Sequence, residues 1–137
     1  QKTNNTLEFI QQRDIRVYAD RIQLKRVIKN LIQNAISYGE PNFPIEVSIG
    51  EIPQYIVIKV KDYGAGISKT DIDKIFNKYY SAAKKFRKIG TGLGLYLALQ
   101  IIKSHNGELS VESEEGNFTE FTIKLPAVMN INLHYGE

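Results

Sequence analysis

Residues 90–95 read Gly-Thr-Gly-Leu-Gly-Leu, and they lead directly into the apolar run Tyr-Leu-Ala-Leu-Gln-Ile-Ile at 96–102. Glycine inside a helix costs about 1 kcal/mol relative to alanine, so glycines at alternate positions before a helix need a physical reason. Free backbone N–H groups at a helix start can approach an anion closely, in the positive field of the helix dipole. A tight turn with close helix packing explains the glycines equally well. The stretch by itself leaves both interpretations open.

Two common phosphate-binding motifs do not match this stretch. The dinucleotide-binding fingerprint requires G-x-G-x-x-G directly after a strand, whereas these glycines have the spacing G-x-G-x-G and follow the lysine-rich segment 81–89. The P-loop requires a lysine after its last glycine, and Gly94 is followed by Leu95. Any anion site here must therefore belong to another class.

Composition narrows the class of protein. The chain has 137 residues, of which 42% are hydrophobic and 24% charged, with a formal net charge of +3. These values are typical of one globular domain, and the charge is too small to predict nucleic-acid binding. The absence of cysteine excludes a disulfide framework and a thiolate metal site. Because the chain begins at Gln1 and its only methionine is Met129, we expect a piece of a longer protein. The absence of cysteine fits a reducing compartment, so we expect that protein to be cytoplasmic, with its membrane anchoring left open.

Apolar periodicity predicts one long helix. Asp20 opens it, and Gln23 completes a capping-box pattern three residues later. Apolar residues then recur at helical spacing over 24–36. Gly39 and Pro41 end the helix, since neither residue favours its continuation.

The other elements follow from alternation and from turn residues. The polar residues 1–14 look like a lead-in or frayed end. Ser68 or Thr70 caps a short second helix over 72–79, and a third helix follows the glycines and ends at 105–107. Strands are predicted at 15–17, 45–49, 56–60, 109–111 and 121–125. Three helices and about five strands predict an α+β fold of two layers, in which a mixed sheet carries the helices on one face and is solvated on the other.

Two polar features accompany these elements. Asp62 ends a predicted strand and can accept a hydrogen bond from an amino group, while Gly64 and Gly66 let the backbone turn beside a bound molecule. Asn30 and Asn34 lie roughly 40° apart on one face of the long helix. Asparagine is a poor helix former, so this pair indicates either locally bonded amides or an amide oxygen that coordinates a hard cation such as Mg²⁺.

Four segments together resemble the N, G1, F and G2 boxes of a sensor histidine kinase catalytic domain. They are NLIQNA at 30–35, DYGAG at 62–66, IFNKYY at 75–80 and GTGLGL at 90–95, in the family's order. The resemblance implies the Bergerat ATP-binding fold, a two-layer α/β sandwich, which agrees with the periodicity.

The resemblance also implies a division of the chain. Residues 1–14 are the expected lead-in from a dimerisation and phosphoacceptor region outside the chain, residues 15–126 the ATP-binding catalytic domain, and residues 127–137 a C-terminal tail.

The resemblance implies a role for each matching residue. Asn34 would coordinate Mg²⁺ and form the catalytic pair with Asn30, which would lie near the γ-phosphate of ATP. Asp62 would accept a hydrogen bond from the adenine amino group. Segment 81–89 matches the lid over the nucleotide. The other residues implied to contact ATP are Tyr38, Gly64, Gly66, Ile67, Phe76, Tyr79, Arg87, Gly90, Thr91, Gly92, Leu93, Gly94, Leu95 and Thr119.

Three positions depart from the family pattern. Ser37 and Ser81 stand where the family often has a cation, and Phe118 replaces a glycine before Thr119. Since a triphosphate needs cationic partners, we expect the lid to supply the missing charge. Its candidate cations are Lys84, Lys85, Arg87 and Lys88.

Asn30 also bears on the reaction class. Related ATPases such as gyrase carry a glutamate one turn before the metal-binding asparagine, where it serves as general base for water. An amide has no such basicity, and a neutral imidazole needs no proton removed before it attacks phosphorus. Asn30 therefore favours phosphoryl transfer to a histidine over hydrolysis.

The acceptor histidine is expected outside this chain. Neither His105, in a helix cap, nor His134, in the tail, has the pattern of a substrate histidine on an exposed helix. The expected partners are the protein's own dimerisation and phosphoacceptor domain and the receiver domain of a response regulator, with homodimers only in the longer protein. A serine kinase of the anti-sigma type and a non-catalytic ATP-binding module on the same fold are the alternatives.

Overall fold

The computed structural model describes residues 7–11, 19–78 and 93–127. Its elements, in chain order, are β1 (Leu7–Gln11), α1 (Arg21–Tyr38), β2 (Ile45–Ile52), β3 (Tyr55–Asp62), α2 (Gly94–Ser104), β4 (Glu108–Glu114) and β5 (Phe118–Pro126). The strands form a five-stranded sheet in the order β1-β2-β3-β5-β4. β1 runs parallel to β2, and the other neighbours are antiparallel. The predicted mixed sheet is confirmed.

One face of the sheet is buried under both helices. Alternation along the strands brings Val47, Val60 and Phe121 side by side across β2, β3 and β5, and each of them is buried. The helices cover this face with fully buried residues such as Leu31 of α1 and Ile102 of α2. Because each buried aliphatic or aromatic side chain contributes about 1.5–3 kcal/mol, this layer supplies most of the stability of the domain.

The opposite face of the sheet is polar, as the alternation predicts. Lys61 of β3 lies between Glu46 of β2 and Glu120 of β5 in register. Its Nζ atom lies 5.0 Å from the ring centroid of Tyr63 and 4.7 Å from that of Phe118. This face is therefore covered by charged groups and by the rings beside them, and no helix of the described residues packs on it.

The predicted start and end of α1 are confirmed, with one change of partner. The Asp20 carboxylate accepts a hydrogen bond from the backbone N–H of Gln23 at 3.0 Å, and the N–H of Gly39 donates to the carbonyl of Ala35 at 2.8 Å. In a capping box, the Gln23 side chain would bond the backbone N–H of Asp20. That N–H instead donates to Nε2 of His105, at 3.1 Å.

The end of α2 is a Schellman motif built on asparagine. Asn106 has a φ of 62°, its N–H donates to the carbonyl of Lys103, and the N–H of Gly107 donates to the carbonyl of Ile102. These are the two hydrogen bonds that define the motif. A Cβ at Gly107 would lie 2.5 Å from the carbonyl oxygen of Lys124, so close packing on β5 requires glycine there.

Two predicted elements differ from the structure. The segment 1–14, predicted as a frayed end, contains strand β1, which pairs in parallel with β2. The strand predicted at 15–17 lies outside the described residues. In place of the second predicted helix, residues 69–78 form successive turns, mostly closed by i→i+3 bonds such as Asp71 N–H to the carbonyl of Ser68.

Among the described residues, no helix combines the length and the apolar character needed to cross a lipid bilayer.

Candidate functional site

Asp62, the last residue of β3, is buried with an unused acceptor. It is 3% exposed, and within the described residues its Oδ1 atom has no hydrogen-bond partner. Burial raises the pKa of Asp62 to about 7, and a hydrogen bond from the backbone of Gly64 opposes that shift. An unsatisfied buried acceptor is costly and rare in native proteins. Asp62 is therefore a candidate ligand-binding group.

The end of α1 closes against the loop that follows Asp62. Gly39 and Gly64 form an isolated antiparallel bridge. A Cβ at Gly39 would lie 3.3 Å from the Cβ of Asp62 and 2.6 Å from the carbonyl oxygen of Ala35. The absence of a side chain at Gly39 thus lets α1, which carries Asn30 and Asn34, end beside the buried carboxylate.

The turn after Gly64 packs against the β4–β5 hairpin. Gly66 has a φ of +73°, and a Cβ there would collide with the carbonyl oxygen of Glu114 and lie 2.8 Å from the Cα of Glu115. The N–H of Gly116 in the hairpin donates to the carbonyl of Ala65 at 2.6 Å. The hairpin therefore occupies the space that a side chain at position 66 would need.

A row of two hydroxyls extends from Asp62 across β5 and β4. Thr119 of β5 is paired in register with Asp62 of β3 and with Ser113 of β4, and it is 5% exposed. The Oγ atoms of Thr119 and Ser113 are 3.0 Å apart, and Ser113 also accepts the N–H of Ile67 at 2.8 Å. Sequence reasoning missed Ser113. The available signal was a hydroxyl at the inward-facing position two residues after Val111.

Phe118, the departure from the family's glycine, does not crowd this row. Strand alternation places its side chain on the opposite face from Thr119, where its ring contacts the Lys61 ammonium group. The side of the sheet that carries Asp62 and Thr119 is therefore unaffected by the bulk of Phe118.

Asn30 links α1 to the start of α2. Its Nδ2 group donates to the carbonyl of Gly94, the first residue of α2, at 3.3 Å. Asn30 and Asn34 are both half-buried. Leu93 precedes α2, whose start has no side-chain cap, and the first-turn N–H groups of a helix can receive an anion. α1 thus contacts the start of α2 through Asn30 and the buried carboxylate through Gly39.

Some of the remaining predicted site residues lie in the described part of the chain and others lie outside it. Ile67 and Leu95 are half-buried against the core, Phe76 packs edge-to-face on Phe121 with ring centroids 6.1 Å apart, and Tyr38 ends α1. The predicted site residues outside the described part of the chain are Tyr79, Arg87, Gly90, Thr91 and Gly92. The lid segment 81–89, with its other candidate cations, and His134 also lie outside it.

The side chains that could hold a metal ion are sparse. Residues 7–11, 19–78 and 93–127 contain no group of three or more histidine, aspartate or glutamate side chains placed to bind an ion. An amide oxygen such as that of Asn34 suits Mg²⁺, which keeps several waters and takes ligands from substrate phosphates. The donor set fits an ion that is shared with a phosphate ligand and does not fit one held by the protein alone.

His105 has both ring nitrogens in use. Its Nδ1 atom lies 2.8 Å from the carbonyl oxygen of Ile101, and Nε2 accepts the backbone N–H of Asp20. Since a carbonyl only accepts, Nδ1 carries the proton and Nε2 the lone pair. His105 therefore connects the end of α2 to the start of α1.

Known proteins similar to this chain are sensor kinases. Residues 19–129 match the family described as histidine kinase-, DNA gyrase B-, and HSP90-like ATPase. Sensor histidine kinase WalK of Bacillus subtilis (strain 168) is 38% identical over 129 residues, which are 88% of this chain and 21% of WalK. Sensor protein SrrB of Staphylococcus aureus (strain NCTC 8325 / PS 47) is 38% identical over 109 residues, which are 78% of this chain and 19% of SrrB. The chain spans about a fifth of the length of these relatives.

Solved structures agree with the family assignment. The catalytic domain of histidine kinase ThkA has a TM-score of 0.79 and 30% identity, with 90% of this chain and 80% of that chain covered. Full-length ShkA in complex with AMPPNP shares the fold, with a TM-score of 0.80 at 20% identity over 91% of this chain and 26% of that one. The chain therefore belongs to the histidine kinase-, DNA gyrase B-, and HSP90-like ATPase family, and it is a catalytic domain of the sensor histidine kinase type.

Proposed function

We propose that this domain binds Mg-ATP and transfers the γ-phosphate to a histidine on a phosphoacceptor domain outside the chain. The histidine nitrogen attacks the γ-phosphorus, the bond to the β-phosphate oxygen breaks, and ADP leaves. An aspartate on a response regulator receiver domain then accepts the phosphoryl group. The observation that carries the proposal is the buried Asp62, whose Oδ1 atom has no partner among the described residues.

The adenine would bind at the end of β3. Asp62 would accept a hydrogen bond from the exocyclic amino group, because residues 7–11, 19–78 and 93–127 supply no partner for Oδ1. Gly64 and Gly66 hold the turn close to the sheet, with Ile67 after them and Thr119 across from Asp62. A purine that supplies the missing donor would remove the cost of the buried acceptor, whereas guanine presents a carbonyl at the corresponding position.

The phosphates would bind at the start of α2. Gly94 begins that helix next to Asn30, and the first-turn N–H groups can accept negative charge. We place Leu93, Leu95 and the preceding glycines 90 and 92 against the triphosphate, with Thr91 and Arg87. Tyr38, Phe76 and Tyr79 would brace the nucleotide and its lid.

Asn34 would hold Mg²⁺ together with the phosphate oxygens. When bound, the ion neutralises charge on the β- and γ-phosphates. Asn34 lies on α1 one turn after Asn30 and is half-buried, so its amide oxygen is positioned by the helix and is not free on a loop. Its contribution is to orient the triphosphate relative to the start of α2.

Asn30 supports transfer over hydrolysis. Its amide donates to the carbonyl of Gly94, and an amide cannot remove a proton from water. An imidazole nucleophile needs no such base. The domain then contributes positioning and charge stabilisation, the two contributions that dominate phosphoryl transfer.

Nucleotide titration tests the binding half of the proposal. A non-hydrolysable ATP analogue should bind the wild-type chain, and omission of Mg²⁺ should weaken binding. Asn34→Ala should lose the Mg²⁺ dependence, whereas Gln33→Ala, an exposed neighbour on the same helix, should retain it. Absence of Mg²⁺-dependent binding in the wild-type chain would refute the enzymatic function.

A transfer assay tests the rest. The chain should phosphorylate an added phosphoacceptor domain of a sensor kinase, and the product should be acid-labile and alkali-stable, as expected of a phosphorus–nitrogen bond. An acid-stable product would indicate a serine kinase. Binding without transfer to any acceptor would indicate a non-catalytic ATP-binding module.

A further inference from the structure

The hydroxyl of Ser113 connects three structural elements. It accepts the N–H of Ile67 at 2.8 Å, donates to the carbonyl of Phe118 at 2.7 Å, and lies 3.0 Å from the hydroxyl of Thr119. Ser113 is in β4, Phe118 and Thr119 are in β5, and Ile67 follows the turn after β3. One side chain therefore connects the turn after Asp62 to the β4–β5 hairpin.

Counting protons fixes the direction of each bond. A serine hydroxyl has one proton and two acceptor lone pairs. The carbonyl of Phe118 can only accept, so it takes the serine proton, and the N–H of Ile67 can only donate. The remaining contact must then be donated by the hydroxyl of Thr119. The Ser113 oxygen is fully satisfied, and the single Thr119 proton points at Ser113 and not at Asp62.

The orientation of Thr119 matters because Thr119 is paired in register with Asp62. Residues paired across antiparallel strands have Cβ atoms about 4.5–5.5 Å apart, which a hydroxyl and a carboxylate can bridge. Oδ1 of Asp62 nevertheless has no partner among the described residues. Because Thr119 donates its only hydroxyl proton to Ser113, it does not donate that proton to Oδ1 of Asp62.

We propose that Ser113 is a positioning residue for nucleotide recognition: its hydroxyl fastens the turn 64–67 to the hairpin and holds the Thr119 proton away from Asp62. The buried carboxylate stays available to a ligand amino group for that reason. This inference rests on the proposed ATP binding and adds a residue that the family resemblance did not supply.

Removal of the hydroxyl should have two effects. In Ser113→Ala the N–H of Ile67 loses its acceptor, and the freed Thr119 proton turns to Asp62. The first effect loosens the turn and the second competes with the nucleotide. Other contacts keep the hairpin in place, since Gly116 N–H still donates to Ala65. We therefore expect a folded protein with altered binding.

The test compares Ser113→Ala, Ser113→Thr and Ser110→Ala with the wild type. Ser113→Thr keeps a hydroxyl, and Ser110 is exposed on the same strand. Titration with a non-hydrolysable ATP analogue and with its GTP counterpart gives the affinity and the adenine preference. Amide hydrogen exchange at Ile67 reports the turn directly.

We expect Ser113→Ala to weaken ATP-analogue binding roughly fivefold to tenfold, the effect of one net hydrogen bond, and to lower the adenine preference. Exchange at Ile67 should accelerate. Ser113→Thr and Ser110→Ala should stay within about twofold of the wild type. The double variant Ser113→Ala/Thr119→Val should bind better than the sum of the single effects predicts, because the competing proton is gone.

The outcomes separate this inference from the proposed function. If the wild type binds the analogue and Ser113→Ala binds it with unchanged affinity and preference, Ser113 is only structural and the inference is wrong. If amide hydrogen exchange at Ile67 is the same in Ser113→Ala as in the wild type, Ser113 does not hold the turn 64–67 to the hairpin, and this part of the inference is wrong. The measurement needs no nucleotide. If the wild type binds no nucleotide, the proposed function fails and the inference fails with it.

Discussion

Replacement of Asp62 by asparagine should change stability in a way that depends on pH. The folded pKa of Asp62 is about 7, raised from 3.8 mainly by burial. Between these values the native carboxyl holds a proton that the unfolded chain has released, so the wild type loses stability as pH rises through this window. Asp62→Asn has no proton to release there.

The magnitude follows from the linkage relation. Each pKa unit corresponds to about 1.4 kcal/mol, and the native proton is held over roughly two pH units between pH 5 and pH 7. The free energy of unfolding of Asp62→Asn, minus that of the wild type, should rise by about 3 kcal/mol between pH 5 and pH 8.5. The amide oxygen can still accept from Gly64, while its NH₂ group lacks the acceptor that would satisfy it, at a cost of about 1–3 kcal/mol.

Urea unfolding of the nucleotide-free proteins at pH 5 and pH 8.5 measures this difference. Asp73→Asn, which removes an exposed carboxylate, controls for the loss of one negative charge as such. A difference between Asp62→Asn and wild type that stays constant with pH would refute the buried, destabilised carboxylate. The same variant should lose ATP-analogue binding at both pH values. Wild-type affinity should fall as pH drops below 7, because the protonated carboxyl is a weaker hydrogen-bond acceptor than the ionised carboxylate.

Further substitutions test the packing around the site. Gly66→Ala should destabilise the fold by roughly 2–5 kcal/mol in urea unfolding, because φ is positive there and the added Cβ would collide with the Glu114 carbonyl. Gly116 also has a positive φ, of +80°, but an added Cβ would have nothing within 4 Å, so Gly116→Ala should cost only about 1–2 kcal/mol. Equal losses of stability in the two variants would contradict the contact between the Gly66 turn and the hairpin. Asn106→Ala should cost about 1 kcal/mol, because alanine disfavours the left-handed conformation of the α2 cap; an unchanged unfolding midpoint would argue against that conformation in solution. Phe121→Ala should cost about 3–5 kcal/mol, since this ring is 2% exposed, and thermal unfolding that shifts by less than a few degrees would mean that the core is less well packed.

Local patterns predicted much of the fold. The apolar stripe over 24–36 reappears as the buried face of α1, with Val27 and Leu31 at 0% exposure. The alternating residues of β3 and β5 form the buried face of the sheet. Both predictions succeed because the period of apolar residues reports directly which face of an element is buried.

The periodicity of apolar residues did not predict the backbone structure of two segments, β1 and the residues after Ser68. β1 contains the apolar residues Leu7, Phe9 and Ile10, but five residues in an otherwise polar segment did not reveal that their backbone pairs with β2. The segment after Ser68 has helical spacing at Ile72, Ile75 and Phe76, but it forms turns. Ile75 and Phe76 still pack on the core, although the backbone that carries them is not helical.

The sequence predicted several residues of the candidate site but not the contacts between them. Asp62, Asn30 and the glycines are residue types that need a physical reason at their positions, and their order along the chain matched the family motifs. The sequence could not show that the Gly66 turn is closed by the hairpin, or that the Asn30 amide bonds the carbonyl of Gly94.

The sequence by itself therefore determined the buried faces, the helix ends of α1 and the family of the domain. Only the tertiary structure decided which donors meet which acceptors: His105 caps a helix 85 positions away along the chain, and the Ser113 hydroxyl lies 3.0 Å from that of Thr119. A buried face is set by the repeat of neighbouring residues, whereas a hydrogen bond requires two distant atoms within about 3 Å at the correct angle. That geometry exists only after the sheet and its helices have packed.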